Sequence, residues 1–100
     1  EAAHRLAAEG PASVIVTLGS EGVILTEREA PPEHRPARTV PVVSTHGAGD
    51  AFTGALAADM ARGATLSTAL DFAQSAAALT VATPPDERQT ITEARVRSSL

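Results

Sequence analysis

The run SVIVTL at residues 13–18 is β-branched through its centre and carries polar side chains only near its ends. Branched side chains are stiff about χ1 and favour extended backbone, so the run reads as a strand. It lacks the apolar–polar alternation that would leave one face in water. A strand apolar on both faces belongs in a sheet covered on both sides, most often a parallel one. The expected class is therefore α/β, with helices flanking a mostly parallel sheet.

The rest of the chain supplies those helices. Residues 1–9 read as a helix that Gly10 and Pro11 end, one by offering a left-handed cap and the other by refusing to continue it. Gly19 and Gly22 bracket a tight turn and the strand pattern resumes over 23–26, so GSEG is a hairpin connection. The segment EREAPPEHRPAR (27–38) is charged and Pro-rich and reads as an exposed loop. Residues 39–43 (TVPVV) read as a strand near an edge, because proline cannot donate to a ladder. A helix is expected over 50–62, with Phe52, Leu56 and Met60 recurring every fourth position and Gly63 as its stop. A broader apolar helix is expected over 66–81. After Pro84 and Pro85, Thr90 and Glu93 have the spacing of a capping box opening a last helix over 91–99.

One hundred residues can make no more than one small domain. The chain starts at Glu1 in what reads as the end of a helix, so it is expected to be a piece of a longer one. A net charge of −4 with no basic cluster argues against nucleic acid or an anionic membrane as partner. No stretch is long and apolar enough to span a bilayer. There is no cysteine, hence no disulfide framework or thiolate zinc site, which suits the cytoplasm. All eight basic residues are arginine. Without lysine, a Walker-type phosphate site and Schiff-base chemistry are both out of reach.

The stretch most relevant to function is VVSTHGAGDAFTGAL (42–56), an apolar run that meets a helix through Gly47-Ala48-Gly49-Asp50. Two readings are open. Glycine and aspartate are ordinary residues at a strand-to-helix junction, one for backbone freedom and the other as a cap. The same geometry makes an anion site, because the first N–H groups of a helix lack intrahelical partners and sit at the positive end of its dipole. In that case Asp50 would serve as general base toward a hydroxyl while the amides stabilise a transferring phosphoryl group. A dinucleotide fingerprint starting at Gly47 would need glycine where Phe52 stands, which disfavours an NAD-dependent oxidoreductase. His4, His34 and His46 have no metal-ligand spacing, and no metal site is expected from side chains.

Residues 44–56, STHGAGDAFTGAL, resemble the second signature of the PfkB/ribokinase family of carbohydrate kinases, commonly D-T-x-G-A-G-D-x-F-x-G-A-L. VIVTLGSEG (14–22) resembles that family's nucleotide-site strand and turn, and FAQSAAALTV (72–81) resembles the helix that follows its adenine pocket. The resemblance implies a ribokinase-like fold, with residues 1–100 as the C-terminal, nucleotide-binding and catalytic part. It implies ATP-dependent phosphorylation, with Mg2+, of a hydroxyl on a sugar, nucleoside or related small molecule, and it is compatible with a homodimeric parent protein. By motif position Asp50 matches the catalytic base, and Gly47, Ala48, Gly49 and Asp50 match the anion hole. Thr17, Gly19, Gly22, Gly49 and Gln74 match nucleotide-contacting positions.

The departures are also specific. Ser44 stands where the family usually has Asp and His46 where it often has Thr, both in the loop that binds potassium in ribokinase-type members, which puts monovalent-cation activation in doubt. Thr83-Pro84-Pro85-Asp86 replaces a glycine-containing turn. The family's sugar-binding half and lid have no counterpart in these residues, so the chain alone is expected to be inactive. The rival from another class is a noncatalytic nucleotide-binding or structural module of the same fold.

Overall fold

The computed structural model describes residues 13–27 and 30–100. The helix expected over 1–9 lies outside them. The chain divides into two compact units, Glu1–Ala37 and Arg38–Leu100.

In the first unit β1 (Ser13–Thr17) and β2 (Val23–Glu27) pair antiparallel, from Ser13 opposite Glu27 to Thr17 opposite Val23. The expected hairpin is present. Its turn is a short 3-10 segment, Gly19–Glu21, closed by the Leu18 amide donating to the Gly22 carbonyl (2.8 Å). Both flanking glycines take positive φ, +60° at Gly19 and +96° at Gly22.

The mostly parallel sheet is not seen among the described strands, which form an antiparallel sheet of order β1-β2-β3. A turn this short can only return the chain antiparallel, since a parallel neighbour needs a crossover of a dozen residues or more. The polar 27–38 segment also contains a strand, β3 (Glu33–Arg35), which pairs with β2 from Val23 opposite Arg35 to Leu25 opposite Glu33. An edge strand needs only backbone groups to pair, and a short, charged, Pro-flanked sequence suits an edge. The burial lies on β2, where Val23, Leu25 and Thr26 are all enclosed, whereas residues 13–16 of β1 are half-buried.

The second unit opens without the strand expected over 39–43. Val42 is 64% exposed, and the Val43 and Ser44 amides both donate to the Val81 carbonyl, at 2.7 and 3.1 Å. One acceptor at a helix end replaces a ladder, and Pro41 has no N–H to contribute to one.

Helix α1 (Ala48–Ala61) starts at Ala48, two residues earlier than expected. Its apolar stripe also shifts: Phe52 is buried, Leu56 half-buried and Met60 46% exposed, while Asp59 is enclosed. Steps of four residues overshoot a turn by about 40° each, so two steps carry Met60 off the packed face and bring its neighbour round. Gly63, at φ +94°, ends the helix as expected.

Helix α2 (Leu66–Ala82) is capped by Thr65, whose Oγ1 accepts from the Thr68 amide at 3.2 Å. It packs against α1, with Ala69, Leu70, Phe72, Ala73 and Ala76 buried. Phe72 and Ala76 join Val96 of α3 (Glu93–Ser98) in one core cluster, flanked by Ala55, Leu79 and Ile91. The last helix starts at Glu93, and its cap is Thr92, whose Oγ1 accepts from the Arg95 amide at 3.2 Å. Thr90 instead ends a 3-10 turn, Pro85–Thr90, and donates to the Glu87 carbonyl at 2.8 Å. The expected capping box is thus half formed and displaced by two residues.

Asp59 ties the three helices together. It is 2% exposed and accepts from Arg97 Nη2 (2.5 Å) and Arg62 Nη2 (3.2 Å), and both guanidinium groups lie over the Phe72 ring, at 4.5 and 5.3 Å respectively. The hydrogen bond from Arg97 is the chief influence holding the Asp59 carboxyl below its ordinary value, against the opposing effect of burial.

Candidate functional site

The site is built from residue 43 onward. With the Val43 and Ser44 amides held on Val81, the chain enters a loop braced from within: Ser44 Oγ accepts from the His46 amide at 3.2 Å, and the Thr45 carbonyl accepts from the Ala48 amide at 3.2 Å. Gly47 then takes φ +80°, a left-handed conformation that turns the loop into α1 and that L side chains adopt only at a cost. The first bond of the α-helical pattern runs from the Ala51 amide to the Gly47 carbonyl (3.0 Å).

Gly47, Ala48, Gly49 and Asp50 are therefore gathered in the loop end and first turn of α1, as their spacing in the sequence requires. Asp50 and Gly49 are exposed, and a Cβ added at Gly49 would meet nothing within 4 Å. A carboxylate in the first turn is favourably placed against the helix dipole without a capping role, since no side chain bonds the N-terminus here. The Ala48 amide is already engaged by Thr45, so the amides best placed for an anion are those of Gly49 and Asp50.

Thr17, Gly19 and Gly22 share the β1–β2 turn of the first unit, where Thr17 and Gly19 are exposed. Gly22 has a structural reason to be glycine. A Cβ there would stand 2.0 Å from the Arg35 carbonyl oxygen and 2.8 Å from the Ala37 nitrogen. Gly19 has open space around it. Gln74 sits half-buried in the middle of α2.

The sequence offers no hint of Arg88. From the Pro85–Thr90 turn its Nη1 donates to the His46 carbonyl and its Nη2 to the Ser44 carbonyl (3.3 Å), reaching back 42 and 44 positions. It stands among acids in an apparent surface turn, and nothing in local spacing connects it to the loop.

A glycine-turned loop that places an exposed aspartate in the first turn of a helix is an arrangement that can receive an anion. Comparison with known proteins gives the family. The model of the pfkB family carbohydrate kinases matches residues 1–90, and the chain belongs to that family. Mouse ribokinase is 48% identical over 58 residues, covering 57% of this chain and 18% of that protein. The crystal structure of ribokinase from Thermotoga maritima superposes with a TM-score of 0.86 at 32% identity, over 97% of this chain and 32% of that one. A putative ribokinase II from Escherichia coli, solved in complex with ATP and Mg2+, superposes with a TM-score of 0.82 at 28% identity, over 94% and 30%. The fold is ribokinase-like, and the chain spans a third or less of these relatives.

Proposed function

We propose that the protein containing this chain transfers the γ-phosphoryl group of ATP to a hydroxyl of a sugar, nucleoside or related small molecule, with Asp50 as general base. The observation that carries this reading is the exposed Asp50 in the first turn of α1, beside an exposed Gly49. As the acceptor oxygen attacks phosphorus, its proton passes to Asp50. The new O–P bond forms in line as the bond to the bridging oxygen breaks, and ADP leaves with that electron pair. Charge on the transferring group is met within the Gly47–Asp50 turn by the amides of Gly49 and Asp50, which are positioned before the reaction and so cost little reorganisation.

Thr17, Gly19, Gly22 and Gln74 are proposed nucleotide contacts, on the strength of their motif positions. Among the described residues no three His, Asp or Glu side chains converge on a point. Mg2+ accompanying the nucleotide would be held mainly by its phosphates and water, as this ion commonly is in kinases. An ATP-dependent reaction and a cysteine-free chain both suit the cytoplasm, and no helix among the described residues is long and apolar enough to cross a membrane.

The test is ADP release by the intact parent protein with MgATP over a panel of sugars, sugar phosphates and nucleosides, beside Asp50→Asn. Turnover on one acceptor should fall by roughly 10²- to 10⁴-fold in the variant while ATP affinity holds, the range for loss of a general base. ATP binding without turnover on any acceptor would favour a noncatalytic module, and equal loss of rate and affinity would remove Asp50 from the role.

A further inference from the structure

In a continuing α-helix each amide donates to the carbonyl four residues back. That pattern starts only at Ala51; before it, the His46 carbonyl, four residues before Asp50, accepts from Arg88 Nη1, and the Thr45 carbonyl, four before Gly49, accepts from the Ala48 amide. The Gly49 and Asp50 amides lie in the first turn of α1, where the helix itself offers them no acceptor, and the carbonyls just before that turn are tied to the loop and to a guanidinium from 42 positions away. The same guanidinium holds the Ser44 carbonyl at 3.3 Å, and a Cβ on Gly47 would come within 3.2 Å of its Nη1. Arg88 Nε is buried without a hydrogen-bond partner, so the polar contacts found for this head group are the two loop carbonyls.

We infer that Arg88 is a positioning residue for phosphoryl transfer, the loop's own covalently attached cation. By holding the Ser44 and His46 carbonyls it fixes the loop that leads into α1, and with it the position of the Gly49 and Asp50 amides, and it places a positive charge beside that loop. The inference rests on the kinase reading above. Backbone carbonyls converging on a point are also what a bare potassium ion binds. Here a fixed guanidinium already takes both, so turnover does not require a monovalent cation.

The test compares the intact parent protein with Arg88→Ala and Arg88→Lys in buffers whose monovalent cation is tetramethylammonium, potassium or added guanidinium. Wild-type turnover should be the same in potassium as in tetramethylammonium. Arg88→Ala should lose about 10²-fold in kcat, as for loss of one preorganised electrostatic contact, with KM for MgATP moving far less. Guanidinium should restore part of that rate, potassium should now stimulate, and Arg88→Lys should fall between the two. Wild-type turnover that depends on potassium, or a loss in Arg88→Ala that no added cation restores, would overturn the inference.

A second readout separates this inference from the kinase reading. The 13C shifts of the Ser44 and His46 carbonyls should move in Arg88→Ala and return with guanidinium, whether or not any acceptor is phosphorylated. Unmoved shifts would refute the role of Arg88. Moved and restored shifts in a protein inert on every acceptor would refute the kinase reading alone.

Discussion

Gly19 and Gly22 flank the same turn, and replacing each by alanine should have unequal consequences. At Gly19 the backbone is left-handed (φ +60°) with open space around the missing Cβ, so alanine costs only conformational strain, about 1 kcal/mol. At Gly22 φ is +96° and ψ −142°, a region almost closed to L side chains, which costs about 1–3 kcal/mol by itself. The added carbon would also lie 2.0 Å from the Arg35 carbonyl oxygen, on backbone that cannot rotate away. Relief requires β3 to part from β2 near the Val23–Arg35 pair, with loss of one or two ladder bonds at about 1 kcal/mol each. Gly22→Ala should therefore destabilise by about 3–4 kcal/mol, some 2–3 kcal/mol more than Gly19→Ala. With a slope of about 1.5 kcal/mol per molar, the urea midpoints of the two variants should differ by roughly 1.5 M. Amide exchange should rise at residues 33–35 only in Gly22→Ala. Equal midpoints, or undisturbed exchange over β3, would refute the account of Gly22 as the point where β3 crosses the turn.

Further outcomes follow from the helical unit. Because the folded Asp59 carboxyl titrates below its ordinary value of 3.8, its contribution to stability is complete above that value and is lost as pH falls below it toward the folded one. Urea midpoints measured from about pH 5 to pH 2 should fall less steeply in Asp59→Asn than in the wild type, and parallel curves would count against the Arg97–Asp59–Arg62 cluster as the cause. Val96 is buried against Phe72 and Ala76, so Val96→Ala should cost about 2 kcal/mol in chemical denaturation through lost burial and a small cavity. A cost near zero would mean that α3 is not packed as described.

Several elements could be read locally because their causes are local. The GSEG turn needs two glycines within four residues of each other, and α1 and α2 were legible from their apolar content and the Gly63 stop, to within two residues at their ends. The Gly47–Asp50 cluster is contiguous, so its gathering at one helix end required no tertiary information. The partner of a backbone group, by contrast, is a matter of what else is near. Residues 33–35 are a strand because the open edge of β2 supplies donors and acceptors, although their own side chains argue for a loop. Residues 39–43 look like a strand and are not one, and the amides of Val43 and of the following Ser44 go to Val81 instead.

The same division runs through the site. Motif and spacing were enough to single out Asp50 and the glycines around it as the proposed site, since these residues are contiguous at one helix start. Arg88 became visible only with the fold, because a guanidinium acts through two carbonyls more than forty residues away and leaves no periodicity behind. Asp59 is a parallel case: spacing by fours placed Met60 inside, and the helix's 100° step together with two arginines put a carboxylate there. Sequence by itself determined where the chain turns and which residues open the helix at the site. Tertiary structure decided which distant charges hold that helix in place, because electrostatic and hydrogen-bond partners are chosen by distance in space.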